Sequence, residues 1–225
     1  DVLCTVMQFL PFTLGMVLIV TLGDLFSGEE RTGMVPILRS TKYGRASLLK
    51  CKLGAAVTIT TVLWILFQLV MLMTIALIYT LRGATCTVLL FNGKPSIYGL
   101  NWLTYYLLQC AYSYLGTLVF TLFICCLSSI LPLRLSMPLD LTITLLTGIP
   151  MNHFCYADQA FDLLDKCRAM TPSQLMAAHP TLQVYQSYAF GNIIIQLPYV
   201  TAAAILIESG LLLWFLHCRE GEKAI

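Results

Sequence analysis

Two long uninterrupted apolar segments constrain the fold of this chain more than any other feature. Residues Val2 to Gly23 contain no charged side chain, and neither do residues Leu53 to Leu81. Both segments exceed the roughly 20 apolar residues that cross a hydrocarbon core about 30 Å thick. Charged residues make up only 11% of the chain, against about 25% in soluble domains. The sequence therefore predicts a membrane protein.

Three further apolar segments bring the number of predicted transmembrane helices to five. Asn101 to Ile130 lies within a charge-free region, and Leu141 to Pro150 is a shorter segment that extends back toward Leu135. Gly191 to Leu216 carries one internal acid, Glu208. Because no internal repeat or linker is visible, we interpret the chain as a single all-α transmembrane domain.

The basic residues set the predicted orientation, since loops rich in Lys and Arg face the cytoplasm. Alternation of five spans leaves Arg82, Lys94, Lys166 and Arg168 on one side of the membrane. The other side receives Arg31, Arg39, Lys42, Arg45, Lys50, Lys52, Arg134, Arg219 and Lys223. The sequence thus predicts a multi-pass protein of the cell membrane, with the segment between the first two helices in the cytoplasm.

The start of the chain suggests a piece of a longer protein. Asp1 is predicted to lie outside, it is not a Met, and a spanning helix follows it directly. The basic n-region of a signal peptide is missing. One additional helix before Asp1 would place both chain ends in the cytoplasm, so we expect that the first helix of the domain is lacking.

A charged block, residues Phe26 to Lys52, separates the first two predicted helices. Ser27 and Glu30 have the spacing of a capping box, which starts a helix. Met34, Ile37 and Leu38 then share one face of that helix. A short amphipathic helix of this kind lies on a membrane surface or binds in a groove of a partner. The alternative is a plain basic loop that only follows the positive-inside rule.

The block resembles the cytoplasmic coupling region of the membrane subunits (permeases) of type-2 ABC transporters. In that family an acidic pair is followed by a Gly, a Leu-rich turn, a Ser-Thr pair, a basic residue and a Lys that opens the next helix. Ser128 and Ser129 are similar to the family's serine at the cytoplasmic end of the fourth helix, and residues 188–192 are similar to its re-entrant outer region. The resemblance implies that the ATPase-coupling residues are Glu29, Glu30, Arg31, Gly33, Leu38, Arg39, Ser40, Thr41, Gly44, Arg45 and Lys52.

The resemblance also implies the partners of the chain. A G-x-x-x-x-G-K-[ST] phosphate loop is missing from the sequence. ATP and Mg are therefore expected on a separate cytoplasmic ABC ATPase subunit, with no cofactor bound by this chain. A second permease copy, identical or related, would complete a pathway that exports an unidentified substrate by alternating access. The net charge of +2 is too small to indicate a nucleic-acid partner.

Two alternatives belong to other functional classes. Glu29 and Glu30 resemble the Glu-Glu-x-x-x-Arg motif of intramembrane glutamate proteases of the CAAX-processing type, although Met34 occupies the Arg position. The histidines such a site needs are not predicted at membrane depth, so its general-base chemistry lacks partners. The other alternative is a permease-like membrane scaffold that does not transport.

Polar residues within the predicted spans are weaker candidates. Gln68, Gln109 and Gln196 either line a pathway or form hydrogen bonds between helices, and the second role is commoner. Glu208 is a functional candidate because an acid in lipid costs about 3 kcal/mol or more. The alternative is a structural pair with Arg134 or Arg219.

Three observations concern the remaining polar residues. Asp140 is expected to be a solvated acid near the inner edge of the membrane. Thr171 and Pro172 indicate the start of a short helix. Among Cys86, Cys155 and Cys167 either one disulfide forms or none does, and no cysteine or histidine spacing indicates a metal site.

Overall fold

The computed structural model describes residues 2–23, 25, 44–79, 90–91, 94–95, 101–131, 133–148, 170–177, 187–190 and 193–222. This part of the chain is almost entirely helical, as the all-α prediction requires. The helices are α1 (Val2–Leu22), α2 (Gly44–Tyr79), α3 (Trp102–Ile130), α4 (Leu133–Gly148), α5 (Pro172–Ala177) and α6 (Leu197–Glu222).

Four short strands form two separate antiparallel pairs. Strands β1 (Leu90–Phe91) and β2 (Lys94–Pro95) make the first pair. Strands β3 (Ser187–Phe190) and β4 (Ile193–Gln196) make the second, in which Ser187 lies opposite Gln196 and Phe190 opposite Ile193. The second pair leads directly into α6.

Three helices in the described part are long and apolar enough to cross a membrane. The spans are Leu48–Leu77 within α2, Trp102–Ile130, which is the whole of α3, and Leu197–Arg219 within α6. Pro11–Leu22 of α1 is a shorter apolar helix by the same measure. The three spanning helices are compatible with the predicted membrane location.

Two predicted boundaries are wrong. The second predicted helix was expected to begin near Leu53, but α2 begins at Gly44 and so includes the last nine residues of the charged block. The last helix was expected to begin near Gly191, but α6 begins at Leu197 because the preceding Ile-rich segment pairs as a strand. β-branched side chains favour strands, and hydropathy alone does not distinguish the two structures.

Helix α3 occupies the centre of the fold. It packs against α1, α2, α4, α5 and α6, and 14 of its 29 residues are buried. The main apolar core lies between α3 and α1, where Leu18, Leu22, Phe120 and Ile124 are fully or almost fully enclosed. Only 17% of the α2 and α6 spans is buried, so most of their apolar side chains are available to lipid or to another chain.

The short helix α5 packs against the middle of α3. Gly116 is fourteen residues from either end of α3, and a Cβ atom there would overlap the backbone carbonyl of Leu175. The Ser113 hydroxyl donates a hydrogen bond to the Met176 carbonyl at 3.0 Å. Pro172 is the first residue of α5, as predicted. A six-residue helix therefore reaches the mid-depth of a helix long enough to cross a membrane.

Candidate functional site

Several helices end where the charged block joins the bundle, near Gly23 and Ser128. We call this region the block end. Helix α2 begins at Gly44, and α1 ends at Leu22, just before Gly23. Helix α3 is antiparallel to α2, because Thr60 pairs with Thr121 and Gln68 with Tyr106. The carboxyl end of α3 and the amino end of α4 therefore lie at the block end too.

The structure places only part of the predicted coupling set. Gly44, Arg45 and Lys52 lie on the first three turns of α2, and Lys52 is partly buried. The other predicted coupling residues lie outside the described residues: Glu29, Glu30, Arg31, Gly33, Leu38, Arg39, Ser40 and Thr41.

The end of α1, where the block begins, is fixed to α3 and α4. The buried Ser128 hydroxyl on α3 donates a hydrogen bond to the Gly23 carbonyl at 2.7 Å. A Cβ atom at Gly23 would lie 3.1 Å from Cγ of Met137 on α4. The same Cβ atom would lie 2.7 Å from the Ile19 carbonyl of α1, so a larger residue at position 23 would require the end of α1 to shift.

The other end of the block is continuous with a spanning helix. α2 contains 36 residues without a break, which corresponds to about 54 Å at about 1.5 Å per residue. This length exceeds the hydrocarbon core of about 30 Å, and the apolar span begins only at Leu48. Gly44 and Arg45 therefore belong to the same continuous helix as the apolar span, so a displacement of either residue would act on that helix directly.

Polar contacts connect α2 to α3 along their length. The buried hydroxyls of Thr60 and Thr121 lie 2.9 Å apart. Farther from the block end, Oε1 of Gln68 accepts hydrogen bonds from the Tyr106 hydroxyl at 3.3 Å and from the Cys110 thiol at 3.5 Å. Gln68 thus joins two helices, the commoner of the two roles considered for it.

A second set of contacts connects α3 to α6. Arg219 donates from Nε to the Ser129 carbonyl at 3.0 Å, so its guanidinium satisfies a free carbonyl at the end of α3. The Cys126 thiol donates to the Leu212 carbonyl at 3.5 Å. Glu208 and Arg219 are about 16 Å apart along α6 at about 1.5 Å per residue, so this geometry does not favour the alternative of a structural pair between them.

Two predicted polar positions are buried without a partner. Oε1 of Gln109, on α3, and Oε2 of Glu208, on α6, have no hydrogen-bond partner among the described residues. Glu208 lies between Ile205 and Leu212 on the side of α6 that packs toward α3. Gln196 differs from the prediction, since it ends strand β4 rather than lying inside the last helix.

Asp140 also differs from the prediction. It was expected to be a solvated acid, but it is 1% exposed and both carboxyl oxygens lack a hydrogen-bond partner among the described residues. Ser136 and Thr144, one turn to either side on α4, are equally buried. α4 begins at Leu133, so Asp140 lies in the middle of a packed helix rather than at its end.

Several residues of the block end and the α3 core were not identified as candidates from the sequence. They are small or polar: Ser113, Thr117, Thr121 and Cys125 recur every four positions along one face of α3, and Gly116 lies beside them. Small residues at this spacing allow close helix packing in membranes. This pattern of small residues in the sequence would have indicated that α3 is the central helix.

The described residues contain no group of three or more His, Cys, Asp or Glu side chains that could hold a metal ion. Cys86, Cys155 and Cys167 lie outside the described residues. Comparisons with protein-family models, with curated proteins and with solved structures gave no match.

Proposed function

We propose that the chain is the membrane permease subunit of an ATP-driven exporter of the type-2 ABC class. The proposal rests on one observation: each end of the charged block leads directly into a helix of the bundle. Gly23 is held to α3 by Ser128, and Gly44 begins the 36-residue helix α2. A partner that binds the block could therefore move α2 relative to α1 and α3.

The proposed domain has five spanning helices in this chain, α1 to α4 and α6. In this arrangement α4 crosses at a tilt or only partly, since it has 16 residues and a span needs about 20. The block forms a cytoplasmic coupling helix. α5 and the β3–β4 pair form a re-entrant outer segment, which is supported by the position of α5 against Gly116 in the middle of α3.

The proposed mechanism is alternating access. ATP closes the dimer of a separate ATPase subunit, and the coupling residues from Glu29 to Arg45 transmit that motion to α2. The polar pairs between α2 and α3 keep the two helices in register while they tilt, since each hydrogen bond contributes about 1 kcal/mol. Rearrangement of the helices then releases the substrate to the outside.

A second permease copy, identical or related, completes the proposed pathway. The support is the low burial of α2 and α6, which leaves large apolar side chains such as Leu77, Leu206 and Trp214 mostly exposed. In a bilayer these faces contact lipid or the second copy. The proposal therefore places the pathway between two copies of the domain.

Purification of the full-length protein with its natural partners tests the proposal. The chain alone should not hydrolyse ATP, and a second polypeptide that does hydrolyse ATP should copurify in a fixed ratio. Transport driven by a proton gradient with no second polypeptide would contradict the ABC assignment.

The same preparation separates the two alternatives. A CAAX-type protease would cleave a prenylated peptide without ATP, and its activity would require Glu29 or Glu30. A scaffold would assemble with partners but show neither cleavage nor ATP-dependent movement of any substrate.

A further inference from the structure

Helix α4 carries a buried carboxyl group that nothing in the proposed transport cycle uses. Asp140 is 1% exposed, and neither carboxyl oxygen has a hydrogen-bond partner among the described residues. Thr144, one turn away, donates its hydroxyl to the backbone carbonyl of Asp140 at 2.7 Å and so leaves the carboxyl group unsatisfied. A carboxylate in this position would therefore need either a bound ligand or a proton that makes it neutral.

The groups that face Asp140 are few. α4 packs against α1, α3 and α5. The described side chains of α1 and α5 include no titratable group. On α3 a titratable neighbour is Cys125. Arg134, on α4 itself, is exposed.

The energies favour a neutral carboxyl group. An ionised carboxylate without a partner costs several kcal/mol or more when it is buried, whereas an unsatisfied neutral polar group costs about 1 to 3 kcal/mol. We propose that Asp140 is a proton-binding site that is occupied in this conformation.

Asp140 is on α4, which packs against α1, α3 and α5. The site depends only on burial and packing, so it goes beyond the proposed transport function and does not require it.

Infrared spectroscopy of the full-length protein in lipid tests the proton directly. A protonated carboxylic acid has a C=O stretching band that a carboxylate lacks. At about pH 7 an exposed Asp, with a pKa of about 3.9, is ionised and gives no such band. We expect the wild type to show a band that Asp140→Asn removes and that Glu208→Gln leaves in place. Equal band intensity in the wild type and Asp140→Asn would overturn the proton site.

Discussion

The hydroxyl of Ser128 lies 2.7 Å from the backbone carbonyl of Gly23, and this hydrogen bond joins the end of α1 to the end of α3. Both residues are buried. Gly23 directly follows α1, and Leu25, the last described residue before the charged block, packs against the apolar core. The position from which the block leaves the bundle is therefore fixed by one side-chain contact.

Removal of this contact should destabilise the block end. Ser128→Ala leaves the buried Gly23 carbonyl without its donor, and we expect a loss of about 1 to 3 kcal/mol in the free energy of unfolding. Ser209→Ala is the control, since that hydroxyl bonds only to the Leu206 carbonyl on its own exposed helix turn. Denaturant unfolding in detergent micelles measures both. Equal stability of the two variants would mean that the Ser128 contact does not hold α1.

The packing of α5 against α3 depends on the absence of a side chain at Gly116. Gly116→Ala should force α5 away from α3, because its Cβ atom would overlap the Leu175 carbonyl. Overpacking of this kind costs about 1 to 3 kcal/mol. Gly210→Ala on α6 meets no atom within 4 Å, and it should leave stability unchanged or raise it by up to about 1 kcal/mol. A melting temperature for Gly116→Ala at or above that of Gly210→Ala would be inconsistent with this contact.

How much of the fold the sequence predicts depends on the element. Length and lack of charge locate α1 and α3 within one residue at each end, since Val2 to Gly23 and Asn101 to Ile130 correspond to Val2–Leu22 and Trp102–Ile130. Hydropathy fails at α2 because a helix that leaves the membrane keeps its hydrogen bonds while its side chains become polar. Lys and Arg are good helix formers in water.

The failure at α6 has a different cause. Ile193, Ile194 and Ile195 are as apolar as a spanning helix, and they are also strong strand formers. The residues between β3 and β4 are Gly191 and Asn192, a dipeptide typical of two-residue hairpins. That turn signal, rather than hydropathy, would have indicated the strand pair.

The candidate site is less predictable than the helices. The charge of Asp140 indicates exposure when it is considered alone, and its burial follows only from the packing of α4 against α1 and α3. Gln68 pairs with Tyr106 across 38 residues, and no local pattern specifies which tyrosine it meets. Tertiary contacts of this kind depend on helix order and tilt, which the sequence of each helix does not contain.

The orientation of the bundle is predicted from its basic residues and can be measured independently. In a variant lacking the nine cysteines, Tyr43→Cys should be protected from a membrane-impermeant thiol reagent added outside the cell. Ala160→Cys should react with it. Labelling of Tyr43→Cys from outside would reverse the topology and move the charged block away from the cytoplasm.

The acidic pair of the block should transmit force rather than perform chemistry. Glu29→Gln with Glu30→Gln removes two charges but keeps the size of the side chains, so coupling should weaken by at most a few kcal/mol. Gly33→Val should weaken coupling at least as much, because a β-branched side chain crowds a close contact. ATP hydrolysis by the purified complex measures both, and the complex should still assemble. Lys50→Gln is the control.

A protease would respond in the opposite way. Its cleavage would be abolished by the paired Gln substitutions and changed less by Gly33→Val. Full coupling in both the paired Gln variant and Gly33→Val would show that the block is only a basic loop of the positive-inside type.

Photocrosslinking from the block tests the central claim most directly. A photoreactive amino acid at Leu38, on the predicted apolar face of the coupling helix, should form an adduct with a polypeptide that hydrolyses ATP. The same group at Val57, an exposed apolar position on α2, should react with lipid or a second permease copy instead. The account predicts the ATPase adduct from position 38 only. If position 38 gives no adduct with an ATP-hydrolysing protein in a complex that is active, the coupling role of the block is wrong.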